Sequence, residues 1–223
     1  MTPFLQRCFD IIFSALGLLF LFPVFLICFA VLPITGEGEI LYRQPRVGHK
    51  GAKFNLLKFA TMLKDSPSMI NGTITINGDP RILPFGKFLR KSKINELPQL
   101  INVLRGDMSL IGPRPLTEET FCQYSGEVQK KILTIKPGLS GVGSIIFRNE
   151  ETIVSQEENI SDFYYQVILP YKGELECWYV ENRSVKNYFL MLALTIVVVI
   201  NSESNIIKKV FSDLPVPPER LRH

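Results

Sequence analysis

"NELPQLINVLRGDMSLIGPRPL", residues 95 to 116, packs a helix start, an apolar stripe and a rigid turn into one short stretch. Leu97, Leu100, Ile101 and Leu104 recur at i, i+3, i+4 and i+7, the spacing of one buried helix face. The stripe stops near Gly106. Asn95 falls at the N-cap position, and Pro98 is tolerable in a first turn. "GDMSLIGPRP" cannot be regular helix, because two glycines and two prolines punctuate ten residues.

Three features here and downstream are able to carry chemistry. Asn95-Glu96 sits at a helix start, where free backbone N–H groups and the helix dipole favour an anion. An ionised Glu96 there could hold a divalent cation. Pro113-Arg114-Pro115 holds one guanidinium out on a rigid turn, suited to gripping phosphate or carboxylate in two-point fashion. Arg148 lies seven residues past the turn "KPGLSG", 136 to 141. Singly, each has a plain structural reading: a cap, a solvated acid, surface cations.

Upstream, Ile11 to Gly36 contains no charged residue. Its core, "IIFSALGLLFLFPVFLICFAVL", is 22 residues, or about 33 Å as a straight helix, close to the hydrocarbon thickness of a bilayer. A signal peptide does not fit, given the long bulky run and no small-x-small cleavage site. Pro23 near its middle removes a backbone hydrogen bond and bends a helix. Cations lie on both sides, with Arg7 before and Arg43, Arg46, Lys50 and Lys53 after. The residues alone leave a simple span and a re-entrant hairpin open.

Elsewhere, 38 to 62 alternates apolar and polar residues around glycines, as short strands do. Residues 71 to 82 read as a loop or hairpin, 85 to 91 as a short basic helix, 117 to 135 as a helix, and 150 to 171 as polar helix. Tyr188 to Ile200, 13 uncharged residues, suits a core helix or one lying in a membrane interface. The Pro-rich tail from 212 reads as extended. Net charge is a mild +4, the four cysteines show no paired spacing, and two histidines make a zinc site a poor expectation.

The whole set resembles the bacterial sugar transferase family, the monotopic phosphoglycosyl transferases. The resemblance runs from Arg7 to about Ile200 through "RCFDIIFSALGL", "QPRVGHKGAKFNLLKFATM", "DPRILPFGKFLRKSKINELPQLINVLRGDMSLIGPRP" and "KPGLSG". It implies transfer of a phosphosugar from a UDP-sugar to undecaprenyl phosphate, with release of UMP and use of Mg²⁺. It also implies an α/β, mostly helical membrane-associated domain with a few short strands. Residues 1–36 would form a re-entrant helix-hairpin anchor broken at Pro23. Residues 37–223 would form a cytosolic catalytic domain with interfacial helices, at the inner face of a bacterial cytoplasmic membrane. Membrane lipids, downstream glycosyltransferases and a homodimer are the implied partners, and nucleic acid is not.

By the same resemblance Glu96 holds Mg²⁺, Arg148 and Lys58 meet the donor phosphates, and Pro113, Arg114 and Pro115 shape the nucleotide pocket. The family's nucleophilic Asp corresponds to Asn95, whose neutral carboxamide cannot form the covalent phosphosugar intermediate. Ala60 stands where a second cation is usual, Glu176 where an Asp is usual, Phe22 where a Ser precedes the proline, and "VGSIIF" where a tryptophan-containing "WAQVNG" is more usual. Three readings follow. The chain is a transferase using Glu96 or Asp107 as nucleophile, or direct attack by the lipid phosphate. Alternatively it is a silent paralogue that binds these substrates and scaffolds a partner transferase, or a membrane adaptor. The retained Glu96, Asp107, "GPRP" and Arg148 favour the transferase.

Overall fold

A computed structural model describes residues 1–66, 69, 74–201 and 206–221. The chain opens with two consecutive helices, α1 (Pro3–Phe20) and α2 (Phe22–Thr35). Thr2 caps α1, its side chain accepting from Leu5 N. The apolar run divides at Leu21, so Pro23 lies in the first turn of α2, where its missing N–H costs least. Of the pair, α1 alone is long and apolar enough to cross a membrane by length and composition.

The burial of α1 is inverted relative to a helix of a water-soluble domain. Its inward stripe is polar: Gln6, Asp10 and Ser14, one turn apart, are buried. Asp10 Oδ1 accepts from Ser109 Oγ, Leu110 N and Tyr188 OH, at 3.0, 3.0 and 2.8 Å. Arg7 donates to the carbonyls of Val103 and Leu104, closing the C-terminal end of the next helix it meets. Phe4, Ile12, Leu19 and Phe20 point outward and are exposed, as are Phe22, Leu26 and Ile34 of α2. The inner side of α2 buries Phe25, Cys28 and Leu32 with Phe59 and Leu89. Its far end stays on the body, where Gly36 lies against the Leu83 side chain. Both ends of the helix pair therefore contact the same globular unit.

The expected strands at 38 to 62 form an antiparallel hairpin, β1 (Leu41–Val47) and β2 (Lys53–Phe59), in the register Leu41↔Phe59 to Val47↔Lys53. Of the loop at 71 to 82, residues 71–73 fall outside the described set. The rest carries Asp79 and Arg81 into a buried ion pair of 2.6 Å. Then come α3 (Pro84–Lys91), a 3-10 turn (Ile94–Glu96), α4 (Gln99–Arg105) and β3 (Ser109–Ile111). The apolar stripe is helical as expected, but Asn95 is not its cap. Pro98 holds that place, and Asn95 lies inside the 3-10 turn.

The helix expected over 117 to 135 is two, α5 (Glu118–Phe121) and α6 (Gly126–Ile132). Ser125 breaks them apart, since its side chain caps α6 by accepting from Val128 N. The segment read as a turn at 136 to 141 contains β4 (Gly138–Ser140), which pairs in parallel with β3. A Cβ at Gly138 would lie 2.1 Å from Gly112 N, so only glycine permits that approach. Next are α7 (Val142–Ile146), α8 (Glu150–Val154) and α9 (Ile160–Phe163). A π-helical turn (Tyr164–Ile168) leads into α10 (Leu169–Glu181), so the polar helix expected over 150 to 171 is several short pieces.

Helix α11 (Val185–Ile200) buries Tyr188, Met191, Leu194 and Val198 in the main core and exposes Phe189, Ile196 and Ile200. The core role expected for 188 to 200 is thus seen, and the helix also has an exposed apolar face. After α12 (Ile206–Val210) the tail docks on α10 rather than running free. Trp178 Nε1 donates to Asp213 at 3.0 Å and Tyr171 OH to the Pro215 carbonyl at 2.9 Å. Among the described residues the architecture is mostly helical with two small two-stranded sheets.

Candidate active site

Five elements converge on one cavity of about 1100 Å³. β1 brings Arg46, β2 brings Lys58 and leads to Ala60, and the 3-10 turn brings Lys93, Asn95 and Glu96. The turn after β3 brings Arg114, and the segment after α7 brings Arg148. On another side the wall is apolar, with Phe29 of α2 and Val198 and Val199 of α11.

Lys93 has left-handed backbone, φ 58. This conformation turns the chain sharply between α3 and the 3-10 turn, so that Lys93 and Glu96 both face the cavity. Glu96 Oε1 accepts from Arg114 Nη2 at 3.0 Å. Burial opposes charge on Glu96, but Arg114, Lys58 and Lys93 outweigh it and hold the carboxyl well below the usual carboxylate range. Glu96 likewise pushes Arg114 above the usual guanidinium value. Burial lowers the Lys58 amine to about 7, only partly offset by Glu96. Arg46 is lowered to about 10 by burial and by neighbouring Arg114. The cavity is therefore a cationic cleft around the Glu96 carboxylate, with Glu39, Glu150 and Glu151 also in its lining and each paired with a lysine or arginine.

The turn carrying Arg114 is braced from several sides. Gly138 N donates to the Pro113 carbonyl at 2.8 Å, and Arg46 Nη1 to the Pro115 carbonyl at 3.2 Å. Buried Glu176 of α10 accepts from Arg114 N at 3.4 Å. Burial raises the Glu176 carboxyl to about 7. Pro113 and Pro115 face a small hollow behind Arg114, beside Val47, Phe121 and Ile132. They shape the arginine's position and do not touch the main cavity.

The structure places Lys58, Asn95, Glu96, Arg114 and Arg148 in the lining of one cavity. It does not place Asp107 there. That carboxylate accepts from Asn102 Nδ2 at 3.0 Å, and the same Asn102 ties down Leu57 N and the Asn55 carbonyl, a scaffolding role. Asn95 is 5 % exposed, lines the cavity, and its Oδ1 has no partner. Ala60 lines the same cavity, and β2 packs against the 3-10 turn. The two positions where the resemblance leads to the expectation of a charged residue thus share one site. Lys93 and Arg90 are cavity cations that sequence reasoning did not single out. In the sequence Arg46 reads only as a charge flanking the apolar run, although it stands inside "QPRVGHKG".

Among the described residues no group of three or more His, Cys, Asp or Glu is assembled for a metal. On the 3-10 turn the site offers the ionised Glu96 carboxylate and the unpartnered Asn95 oxygen. That donor set fits Mg²⁺, which keeps several waters and commonly takes one or two carboxylates plus substrate phosphates.

Comparison with known proteins identifies the family. The chain is 33% identical over 216 residues to the UDP-galactose-lipid carrier transferase of Erwinia amylovora, covering 91% of this chain and 42% of that one. It is 30% identical over 216 residues to the undecaprenyl-phosphate galactose phosphotransferase of Salmonella typhimurium, with the same coverages of 91% and 42%. It is 34% identical over 199 residues to the uncharacterized sugar transferase EpsL of Bacillus subtilis, covering 89% of each. The chain thus spans about two fifths of the first two relatives and most of the third. The bacterial sugar transferase family model matches residues 1–202, and the chain belongs to that family.

Proposed function

We propose that this protein transfers a sugar-1-phosphate from a UDP-sugar to undecaprenyl phosphate, releasing UMP, as the first membrane step of a surface-glycan pathway. One observation carries the reading. A half-buried Glu96–Arg114 pair, ringed by Arg46, Lys58, Lys93 and Arg148, sits in a cavity whose lining also includes apolar side chains of α2 and α11, Phe29, Val198 and Val199. A cationic cleft binds diphosphate, and an apolar wall suits the first units of a polyprenyl chain. Relatives whose names specify lipid-carrier and undecaprenyl-phosphate transfer point the same way.

The chain's own groups have distinct parts in this reaction. Arg114 and Arg148 grip phosphate oxygens, and the braced turn around Arg114 fixes that grip in advance. Glu96 and Asn95 would hold Mg²⁺, which when bound neutralises charge on the diphosphate. Lys58, lying close to its own titration point, takes up a proton as phosphate charge arrives. Phosphoryl transfer needs chiefly alignment and charge stabilisation, which this set supplies.

The exposed apolar faces of α1, α2 and α11 support a seat in the bilayer. The polar inner stripe of α1 and the contact of both helix ends with one body support a re-entrant hairpin over a span. In that arrangement the cavity faces the cytosolic headgroups, where a soluble nucleotide and a lipid phosphate meet.

Asn95 also supports a second reading, a silent protein that binds both substrates and scaffolds another transferase. Purified chain in nanodiscs, given a panel of UDP-sugars, Mg²⁺ and undecaprenyl phosphate, distinguishes them by chromatography of UMP and lipid product. The transferase yields both in equal amounts. The silent protein binds UDP-sugar and yields neither.

A further inference from the structure

The cationic wall of the cavity is larger than one donor needs. Arg43, Arg46, Lys58, Lys93 and Arg148 line it without an ion-pair partner among the described residues, while Arg90, Arg114 and Lys172 are paired with Glu151, Glu96 and Glu150. A diphosphate diester carries one charge on each phosphate, so it compensates a pair of these cations and leaves others for a second anion.

The hydrogen bonds divide the cations into two groups. Arg46 donates to the Pro115 carbonyl, next to Arg114, and both lie on the side of the body where Val47 and Leu116 pack with Phe121 and Tyr124. Arg148 donates to the Lys91 carbonyl at 3.1 Å, at the end of α3 and two residues before Lys93. That second side adjoins the hairpin: Ile94 and Leu97 pack in the cluster of Phe25, Cys28 and Leu32 from α2. The 3-10 turn joins the sides, with Lys93 at one end, Glu96 bonded to Arg114 at the other, and Asn95 between. Asn95 is nine-tenths buried, and its carboxamide oxygen is unpartnered in the cavity wall.

We propose that the cavity holds two phosphate ligands at once, a nucleoside diphosphate on the Arg46–Arg114 side and a lipid monophosphate on the Lys93–Arg148 side. Asn95 is the neutral positioning residue between them, so that transfer is direct. This rests on the transferase reading above. A lipid-phosphate oxygen bonds to the β-phosphorus, the bond from that phosphorus to the bridging oxygen breaks, and its electron pair leaves on UMP. Phosphate charge balances without a proton donor, and no enzyme-bound phosphosugar forms. A carboxylate at 95 would face the incoming lipid phosphate with like charge, whereas a carboxamide can donate to it.

The test uses the full chain in nanodiscs. UDP binding is titrated with and without saturating undecaprenyl phosphate, and exchange of labelled UMP into UDP-sugar is followed with no lipid acceptor. The expected results are UDP that still binds at saturating lipid with an affinity lowered no more than about tenfold by the neighbouring phosphate, no exchange, and no phosphosugar mass added to the protein. Arg148→Gln should weaken the lipid phosphate by about tenfold and leave UDP within about twofold, and Arg46→Gln should do the reverse. Asn95→Asp should weaken both the lipid phosphate and UDP by about tenfold, a loss relieved when the new carboxyl is protonated at low pH, which a purely structural role would not give. Competition between the ligands overturns the two subsites, and lipid-independent exchange or a phosphosugar adduct overturns direct transfer. Absence of turnover overturns the transferase reading and direct transfer with it, while the binding arm still decides whether two subsites exist.

Discussion

Two carboxylate–arginine pairs in this protein are chemically alike and differently finished. Arg81 donates to both oxygens of Asp79 and to the carbonyls of Ser66 and Ile74, and both partners are nearly inaccessible. Arg114 makes one bond of 3.0 Å to Glu96 and keeps about a third of its side chain open to the cavity. The first pair is closed on itself. The second has donors to spare, further cations around it and a neighbouring amide with nothing to bond. Saturated burial marks scaffolding, and burial with unspent hydrogen-bonding capacity marks a site.

That contrast can be broken most severely at the closed pair. Arg81→Ala leaves Asp79 buried without its cation and should cost about 3–5 kcal/mol of stability, read from urea unfolding. At the open pair the loss should fall on rate instead. Glu96→Gln should lower lipid-dependent UMP release by about 100–1000-fold, yet shift unfolding by no more than about 1 kcal/mol, since Arg114 stays partly solvated. A large stability loss in Glu96→Gln would erase the distinction.

Titration sharpens it further. Burial lowers Lys58 to about 7, so between that value and the ordinary lysine range the unfolded chain carries a proton that the folded chain lacks. Its contribution to stability therefore increases with pH across that window, by up to about 1.4 kcal/mol per pH unit. Glu176, raised to about 7 by burial, acts oppositely. From the ordinary carboxylate range up to about 7 the folded chain keeps a proton that the unfolded chain has lost, and stability falls as pH rises. Lys58→Met should flatten the upper window and Glu176→Gln the lower one, in urea midpoints measured against pH. The smallest effect belongs to an exposed pair. Lys53–Glu118, 2.6 Å apart and more than 60 % open on both sides, should lose less than about 1 kcal/mol in Lys53→Ala.

Much of this organisation is legible in the sequence because it is local. The Leu97 to Leu104 stripe, the hairpin around "GHKG" and the proline-bounded turn of Arg114 follow from period and turn chemistry. What escapes is set by distant contacts. β3 and β4 are three residues each, too short to announce themselves, and their pairing depends on Gly112 meeting Gly138. The polar stripe of α1 gives no signal in the sequence, because Asp10 is fixed by Ser109 and Tyr188 from far along the chain. Asp107 and Glu96 look like equal candidates along the chain. Only folding turns one into the cavity and ties the other to Asn102. Lys93 carries no spacing signal, because its place at the site comes from one left-handed residue.

The most direct test of the central claim is UMP release from a panel of UDP-sugars by the purified chain in nanodiscs, with and without undecaprenyl phosphate. The account predicts release that requires both the lipid phosphate and Glu96, with asparagine still at position 95. No release from any UDP-sugar, in protein that binds UDP normally, would contradict it.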